Sequence, residues 1–308
     1  MDIAKHITVL VNPAASSGNG HKEWLRLQPH FEEVFGERDV EVIETESREQ
    51  TRGLAEILLT DMIISFSGDG ALCDIAQGLM RRPKEQRPLL AAVPIGSGND
   101  FAKALGLPMN PWSAISRLAR GKRSWIDVGC VNGQYFLNTL SFGIDAAIAG
   151  RTTELRKSTR RRGFLLYAQA AVGAIVKEMK PHHYSLTVDG EQLERELLIC
   201  AIQNGPYYGG GFKIAPRAIL DDGLLSICMA TEVSTPAALY YLTRIARGTH
   251  EKLREVETRK ASRVELLLDE PIQAQCDGEP IEGLVFGDKG WRFEVELLPR
   301  ALEVLSMP

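Results

Sequence analysis

Three glycine-rich segments carry the residue types and spacing best suited to chemistry: Ser16-Ser17-Gly18-Asn19-Gly20, Ser67-Gly68-Asp69-Gly70 and Gly96-Ser97-Gly98-Asn99-Asp100. Each follows a short apolar run. Glycines in such a place let backbone N–H groups approach an anion closely, and the N-terminus of a following helix adds a favourable dipole. Phosphate is the ligand this arrangement suits. Tight turns also use glycine, so three loops in succession carry more weight than any one. Asp69, set between two glycines, has two readings: a cap for the next helix, or a carboxylate that holds Mg²⁺ beside phosphates, directly or through water. Asp127 could converge on the same crevice. The usual nucleotide fingerprints are absent. There is no G-x-x-x-x-G-K-[ST], and Gly68-x-Gly70 and Gly96-x-Gly98 lack the third small residue of the dinucleotide motif.

The elements that must position these loops are legible from periodicity. Ile7–Val11, Val40–Glu44, Met62–Phe66 and Leu89–Val93 read as strands. They alternate with helical patterns at His21–Phe35, Thr51–Leu59, Ala71–Met80 and Asn99–Leu105. Such alternation predicts a parallel sheet covered on both faces. Ligands of open parallel sheets bind outside the carboxyl ends of the strands, where all three loops fall. From Trp125 the rhythm changes. Ile126–Val131 and Gln134–Thr139 flank Asn132-Gly133, a hairpin signal. Ser185–Val188 and Glu194–Gln203 flank Asp189-Gly190. Leu224–Ala230, Arg263–Leu268, Ile272–Cys276, Ile281–Phe286 and Trp291–Leu297 continue the strand pattern, with helices near Gly163–Lys180 and Pro236–Thr249. The expectation is an α/β domain over residues 1–125 and a mostly antiparallel β domain over 126–308, with the last ten or so residues packing back on the first.

Bulk properties narrow the classes. A net charge of −4 argues against a general nucleic-acid binder. The five cysteines are scattered, with no C-x-x-C pair, and read as reduced core residues. There is no H-E-x-x-H, so zinc is not expected. The N-terminus runs directly into a strand pattern without a signal peptide. The longest apolar stretch, Phe164 to Val176, falls short of the roughly 20 residues that cross a bilayer. The expected setting is cytoplasmic, with any membrane contact peripheral.

The string SGDGALCDIAQGL resembles the GGDGT-x-x-E-x-x-x-GL signature of the diacylglycerol kinase catalytic-domain family, the soluble lipid kinases that include sphingosine and ceramide kinases. VPIGSGNDFAKALGLP resembles the family's P-x-GT-x-NDFA-x-x-LG-x-P. IDVGCVNGQYFLNTLSFGID, NGPYYGGGFKIAPRAILDDGLLSI and QCDGE match later segments in the family's order, so the resemblance spans nearly the whole chain. There are departures. Ala71 stands for the threonine of GGDGT, Ser67 for its first glycine, Ser97 for the threonine of GT-x-ND, and Asp74 for a glutamate. The first loop is longer than the family's, so its alignment shifts by a residue or two.

The resemblance implies an α/β nucleotide-binding domain followed by a β-sandwich lipid-binding domain, and an ATP- and Mg²⁺-dependent lipid kinase. Diacylglycerol is the leading substrate; phosphatidylglycerol, sphingoid bases and polyprenols are alternatives. An NAD kinase and a non-catalytic lipid or nucleotide sensor are the readings from other classes. By resemblance, Asn12, Thr45, Ser67, Gly68, Asp69, Gly70, Ser97 and Gly98 line the nucleotide site, whose γ-phosphate would face the second domain. Glu279 falls on the proton acceptor, assisted by Asp277, with Asp69 as the other candidate base. Asp222 would hold a second-domain Mg²⁺ through its side chain, with Ile219 and Leu224 contributing carbonyl oxygens. Without the family, Asp221-Asp222-Gly223 and Asp277-Gly278-Glu279 read as plain turns. Family habit suggests a homodimer. Between Arg151 and Arg162, the cations Arg151, Arg156, Lys157, Arg160, Arg161 and Arg162 face one acid, Glu154. That run is either a solvated loop or a patch drawn to anionic headgroups, at about 1 kcal/mol per basic residue.

Overall fold

A computed structural model describes residues 4–159, 163–281, 283–286 and 290–307. The chain forms two compact units. One comprises residues 1–127 and 300–308, the other Val128–Pro299.

The first unit is built on β1 (His6–Val11), a single helical turn α1 (Ala15–Gly18), α2 (Gly20–Phe35), β2 (Asp39–Glu44), α3 (Arg48–Ile57), β3 (Met62–Ser67), α4 (Asp69–Met80), β4 (Leu89–Pro94), α5 (Asp100–Ala104) and α6 (Pro111–Leu118). The strands pair in parallel in the order β2-β1-β3-β4. β3 and β4 are buried at every position, which is why they read as continuous apolar runs, whereas the edge strand β2 is largely exposed. The alternation of strand and helix is as the sequence implies. Helix α6 was not legible as an element, although its cap is in the sequence: Asn110 Oδ1 accepts the Ser113 N–H at 3.2 Å, ahead of Pro111 at the first position. The end of the last strand, β17 (Gly290–Ser306), adds to this sheet beside β4, with Val304 opposite Leu90.

The second unit begins within β5 (Lys122–Val131). It continues through β6 (Gln134–Phe136), β7 (Thr139–Gly143), α7 (Ile144–Ser158), α8 (Gly163–Lys177), β8 (His182–Val188), β9 (Glu191–Leu197), β10 (Ile199–Gln203), β11 (Leu225–Ala230) and α9 (Thr235–Ala246). β12 (Val256–Ala261), β13 (Arg263–Leu268), β14 (Ala274–Cys276), β15 (Glu279–Ile281) and β16 (Leu284–Phe286) lead into β17. One antiparallel sheet runs β12-β11-β10-β7-β14-β15; the other packs β9, β8, β13 and β17 side by side. Leu140, Phe142, Ile202 and Ile227 from the first sheet share a core with Tyr184, Leu186, Leu266 and Phe293 from the second. This is a β-sandwich. Alternation along β10 explains the helices: Cys200 and Ile202 face the sandwich core, while Ala201 faces Tyr167, Ala170 and Ala174 of α8.

Two strand expectations are corrected here. Glu194–Gln203 is two strands in different sheets, broken at Leu198, whose N–H turns aside to the Ala230 carbonyl at 2.9 Å. Gln134–Thr139 likewise divides into β6 and β7 around Leu137 and Asn138. The basic run is also not a loop where it is described: residues 151–158 complete α7, and Arg151 pairs with Glu178 at 2.5 Å. Arg160, Arg161 and Arg162 lie outside the described residues.

Candidate active site

In the first unit the register of the parallel ladder aligns the strand ends. Val11 stands beside Glu44 and Phe66, and Ser67 beside Pro94. Asn12, Thr45, Ser67 and the loop after Pro94 therefore leave the sheet from one edge. Asn12 Oδ1 accepts the Ala14 N–H at 2.9 Å, and its carbonyl accepts Ala15 N–H at 3.1 Å, which turns the chain sharply. Helix α2 starts against that carbonyl: a Cβ on Gly20 would lie 2.0 Å from it, so only glycine fits. Thr45 is buried and tied back by its N–H to the Val11 carbonyl at 2.9 Å.

The second and third loops touch. A Cβ on Gly68 would stand 2.9 Å from Gly96 Cα, and one on Gly96 would stand 2.4 Å from Gly68 Cα. Asn99, at φ +56°, holds the third loop from both sides: its Oδ1 accepts Gly96 N–H and its Nδ2 donates to the Gly96 carbonyl, each at 2.9 Å. Asp69 opens α4 and its Oδ1 accepts the Phe101 N–H at 3.1 Å, so one carboxylate ties the starts of α4 and α5 together. Gly70 is exposed, with nothing within 4 Å of where its Cβ would be, and Ser97 is exposed as well. Ser67, Gly68, Asp69, Pro94 and Asn99 line one crevice. Backbone amides and one carboxylate at the carboxyl edge of a parallel sheet can hold a phosphate chain and a hard cation. Asp74 does not reach the crevice. It is buried and clasped by Arg48 and Arg52 at 2.8–3.0 Å, which locks α3 to α4. Asp127 is also buried, with Oδ1 accepting the Arg300 N–H at 2.7 Å.

In the second unit Asp277 and Gly278, at φ +47° and +89°, make the two-residue hairpin turn between β14 and β15. Asp277 Oδ2 accepts Leu137 N–H at 2.6 Å, and its Oδ1 accepts the N–H groups of Asn138 and Thr139 at 3.0 and 2.9 Å. Glu279 begins β15, opposite Cys276, and is partly exposed. Asp222 Oδ1 accepts Leu224 N–H at 3.1 Å, and its Oδ2 accepts the Lys260 ammonium at 2.5 Å. Ile219 is half exposed and Leu224 partly buried. Among the described residues no group of three or more His, Cys, Asp or Glu side chains is placed around one metal position.

Sequence reasoning missed the most buried acid among the described residues of this unit. Asp145 sits in an apolar run, FGIDAAIA, at the start of α7 and is wholly buried. It accepts hydrogen bonds from Ser141, from the Tyr167 hydroxyl at 2.5 Å, from Tyr208 and from Gln275. Burial pushes its carboxyl above the usual range, opposed by those four donors. Burial, then the Asp145 charge, pushes both phenols well up. A lone acid inside an apolar run was the available signal.

Comparison with known proteins joins the two halves to one family. Residues 6–131 match the diacylglycerol kinase catalytic domain, and residues 138–306 match the YegS C-terminal NAD kinase beta sandwich-like domain. A diacylglycerol kinase of Bacillus subtilis is 28% identical over 89% of this chain and 90% of its own length. A protein of Shewanella frigidimarina named "Probable lipid kinase YegS-like" is 30% identical over 85% of this chain and 82% of its own. A crystal structure of a diacylglycerol kinase from Bacillus anthracis shares the fold, with a TM-score of 0.77 at 23% identity over 99% and 98% of the two chains. With a glycine-loop crevice at the edge of a parallel sheet, a β-sandwich after it and these relatives, the chain belongs to the diacylglycerol kinase and YegS-like family of lipid kinases.

Proposed function

We propose that this protein transfers the γ-phosphate of ATP to the hydroxyl of a membrane lipid, with diacylglycerol the leading acceptor. The observation that carries the nucleotide half is the contact of Gly68 with Gly96. It presses two glycine loops together beside Asp69, where their amides can cradle phosphates. Phosphoryl transfer asks mainly for positioning and charge stabilisation, which fixed backbone donors supply without reorganisation. Mg²⁺ bound with the nucleotide would supply charge neutralisation, and the Asp69 carboxylate is an oxygen donor suited to it. Asn12, Thr45, Ser67, Gly70, Ser97 and Gly98 complete the nucleotide-lining set.

Glu279 is the proposed proton acceptor for the lipid hydroxyl. Asp277 has a different part. Three backbone N–H groups occupy its carboxylate, so it anchors the turn and does not take the proton. At the Asp222 loop a divalent ion coordinated by Asp222, Ile219 and Leu224 would have to displace the Lys260 ammonium.

Peripheral contact with a bilayer is supported by α8. Phe164, Leu165, Val172 and Val176 are 42–66% exposed on this helix, with Leu165, Val172 and Val176 at helical spacing along one side. Among the described residues no helix is long and apolar enough to cross a membrane.

One assay tests the reading. Purified protein, Mg²⁺ and labelled ATP are offered diacylglycerol, phosphatidylglycerol, a sphingoid base and a polyprenol in mixed micelles, with NAD in parallel. Label in phosphatidic acid is the expected result. Label in another lipid alone changes the acceptor, label in NADP alone overturns lipid kinase activity, and ATP binding without transfer leaves a sensor.

A further inference from the structure

The buried Asp145 cluster does not end at its own hydrogen bonds. Gln275 stands opposite Ser141 in the β14–β7 ladder, which fixes its place. Its Nε2 donates to Ser141 Oγ at 2.6 Å and to Asp145 Oδ2 at 3.3 Å. Its Oε1 turns the other way and accepts the Gly278 N–H at 2.6 Å. A carboxylate offers only acceptors, so the amide facing it must present its NH₂ and turn its oxygen outward. That oxygen is what the Gly278 N–H needs. The polarity of one buried carboxylate therefore decides whether the turn before Glu279 has its acceptor.

The same carboxylate is gripped from the other side. Tyr167 belongs to α8, the helix with the exposed apolar stripe, and Tyr208 to the glycine-rich loop after β10. A Cβ on Gly209 would sit 2.7 Å from the Tyr167 ring, so that loop is packed directly against α8. A hydrophobic side chain in place of Asp145 would avoid the cost of burying an acid. What an apolar replacement cannot do is orient Gln275.

We infer that Asp145 is a positioning residue for phosphoryl transfer: it sets the direction of the Gln275 amide, which holds Gly278 and so fixes the backbone that carries Glu279. This inference rests on Glu279 being the proton acceptor. It also makes the helix with the exposed stripe and the acceptor turn two ends of one hydrogen-bonded relay.

The test uses the full-length protein and reverses the relay's polarity. Asp145→Asn keeps one acceptor oxygen; held by the Tyr167 and Tyr208 hydroxyls, that oxygen leaves the NH₂ toward Gln275, which should rotate its amide and leave Gly278 facing a donor. The expected kcat falls by about tenfold or more, since small displacements of a reacting group are costly, while KM for ATP stays within about twofold. Amide exchange at Gly278 should rise in the same variant without substrate. Gln275→Glu added to Asp145→Asn restores an acceptor at both ends, and should bring kcat and Gly278 exchange back toward wild type. A kcat for Asp145→Asn within about threefold of wild type overturns the inference. So does a double variant no better than Asp145→Asn when both melt cooperatively. If Asp145→Asn does not fold, Gln275→Met takes its place, and unchanged exchange at Gly278 overturns the relay. A wild type inactive on every lipid removes the acceptor reading of Glu279, and Gly278 exchange still tests the relay by itself.

Discussion

Two glycines, one in each of the touching loops, should respond to alanine in opposite ways. At Gly96 the new Cβ would lie 2.4 Å from Gly68 Cα and 2.7 Å from Asn99 Oδ1. Carbon atoms in ordinary contact stand about 3.5–4.0 Å apart, so the two loops must separate by roughly 1 Å. The nearer neighbour is backbone and the other is the Asn99 amide, itself tied to Gly96 by two hydrogen bonds, and overpacking of this kind costs about 1–3 kcal/mol. For units of this size that is a fall in Tm of about 3–9 °C. At Gly70 nothing lies within 4 Å of the new atom, and the residue is exposed in the first turn of α4. Alanine there should leave the fold unchanged or stabilise it by up to about 1 kcal/mol. If phosphates rest on this loop, however, that methyl group meets them. Affinity for a non-hydrolysable ATP analogue should then drop about tenfold, or 1.4 kcal/mol, with no loss of Tm. Differential scanning calorimetry and titration calorimetry on Gly96→Ala and Gly70→Ala separate the two effects. A Gly96→Ala protein that melts with the wild type would refute the packing argument. A Gly70→Ala protein that binds nucleotide normally would move the phosphates off this loop.

Glu279→Ala should lower single-turnover phosphoryl transfer by about 10²–10⁴-fold with ATP binding intact, and activity within about tenfold of wild type would pass the role to Asp69. Lys260→Met should increase the Mg²⁺-dependent rise in Tm and Asp222→Asn should abolish it; equal shifts in all three proteins would place no divalent ion at this loop. The raised carboxyl pKa of Asp145 fixes the sign of a pH effect. The folded protein holds that proton more tightly than the unfolded chain, so the stabilisation is complete below the unfolded value of about 3.9 and is lost as pH rises through the folded value. Tyr167, Tyr208 and Cys228, which face Asp145, are themselves pushed up and stay neutral across that window. Wild type should therefore lose stability relative to Asp145→Asn between acid and neutral pH in denaturant melts, and a constant difference would contradict this. Leu165→Asp with Val172→Asp should weaken sedimentation with anionic vesicles and leave nucleotide affinity unchanged; undiminished vesicle binding would clear α8 of membrane contact.

The first unit was legible because its strands are buried on both faces. β3 and β4 appear as unbroken apolar runs, and each ends at a glycine loop that periodicity marks by itself. The second unit was harder, because a strand that changes sheets looks in sequence like one long strand. Leu198 has no glycine or proline to announce the break; only its hydrogen bond to Ala230 reveals it. Helix α7 was hidden for a related reason: it starts directly from the glycine that ends β7, with no capping side chain to announce it. Among the candidate site residues, Asp69 and Glu279 were named from their motifs. The anchoring of Asp277 was not, since its three partners lie about 140 positions earlier in the chain. The Lys260 partner of Asp222 and the Gln275 partner of Asp145 were likewise invisible, because distance along a chain says nothing about which polar groups a sandwich brings together.

The return of the chain to the first unit at Arg300 has a consequence for biosynthesis. Leu302, Val304 and Leu305 are completely buried there, and Val304 pairs with Leu90 on β4. During translation those residues emerge after the entire sandwich. The first unit must therefore wait, with the flank of β4 uncovered, until a whole other domain has been made. An uncovered strand edge is a site for wrong pairing with another chain. Slow translation through the sandwich, or premature termination just short of Arg300, should leave a protein whose sandwich can fold while its first unit aggregates. A reporter fused after the last strand would then signal completion of the first unit, although the whole sandwich separates it from the rest of that unit.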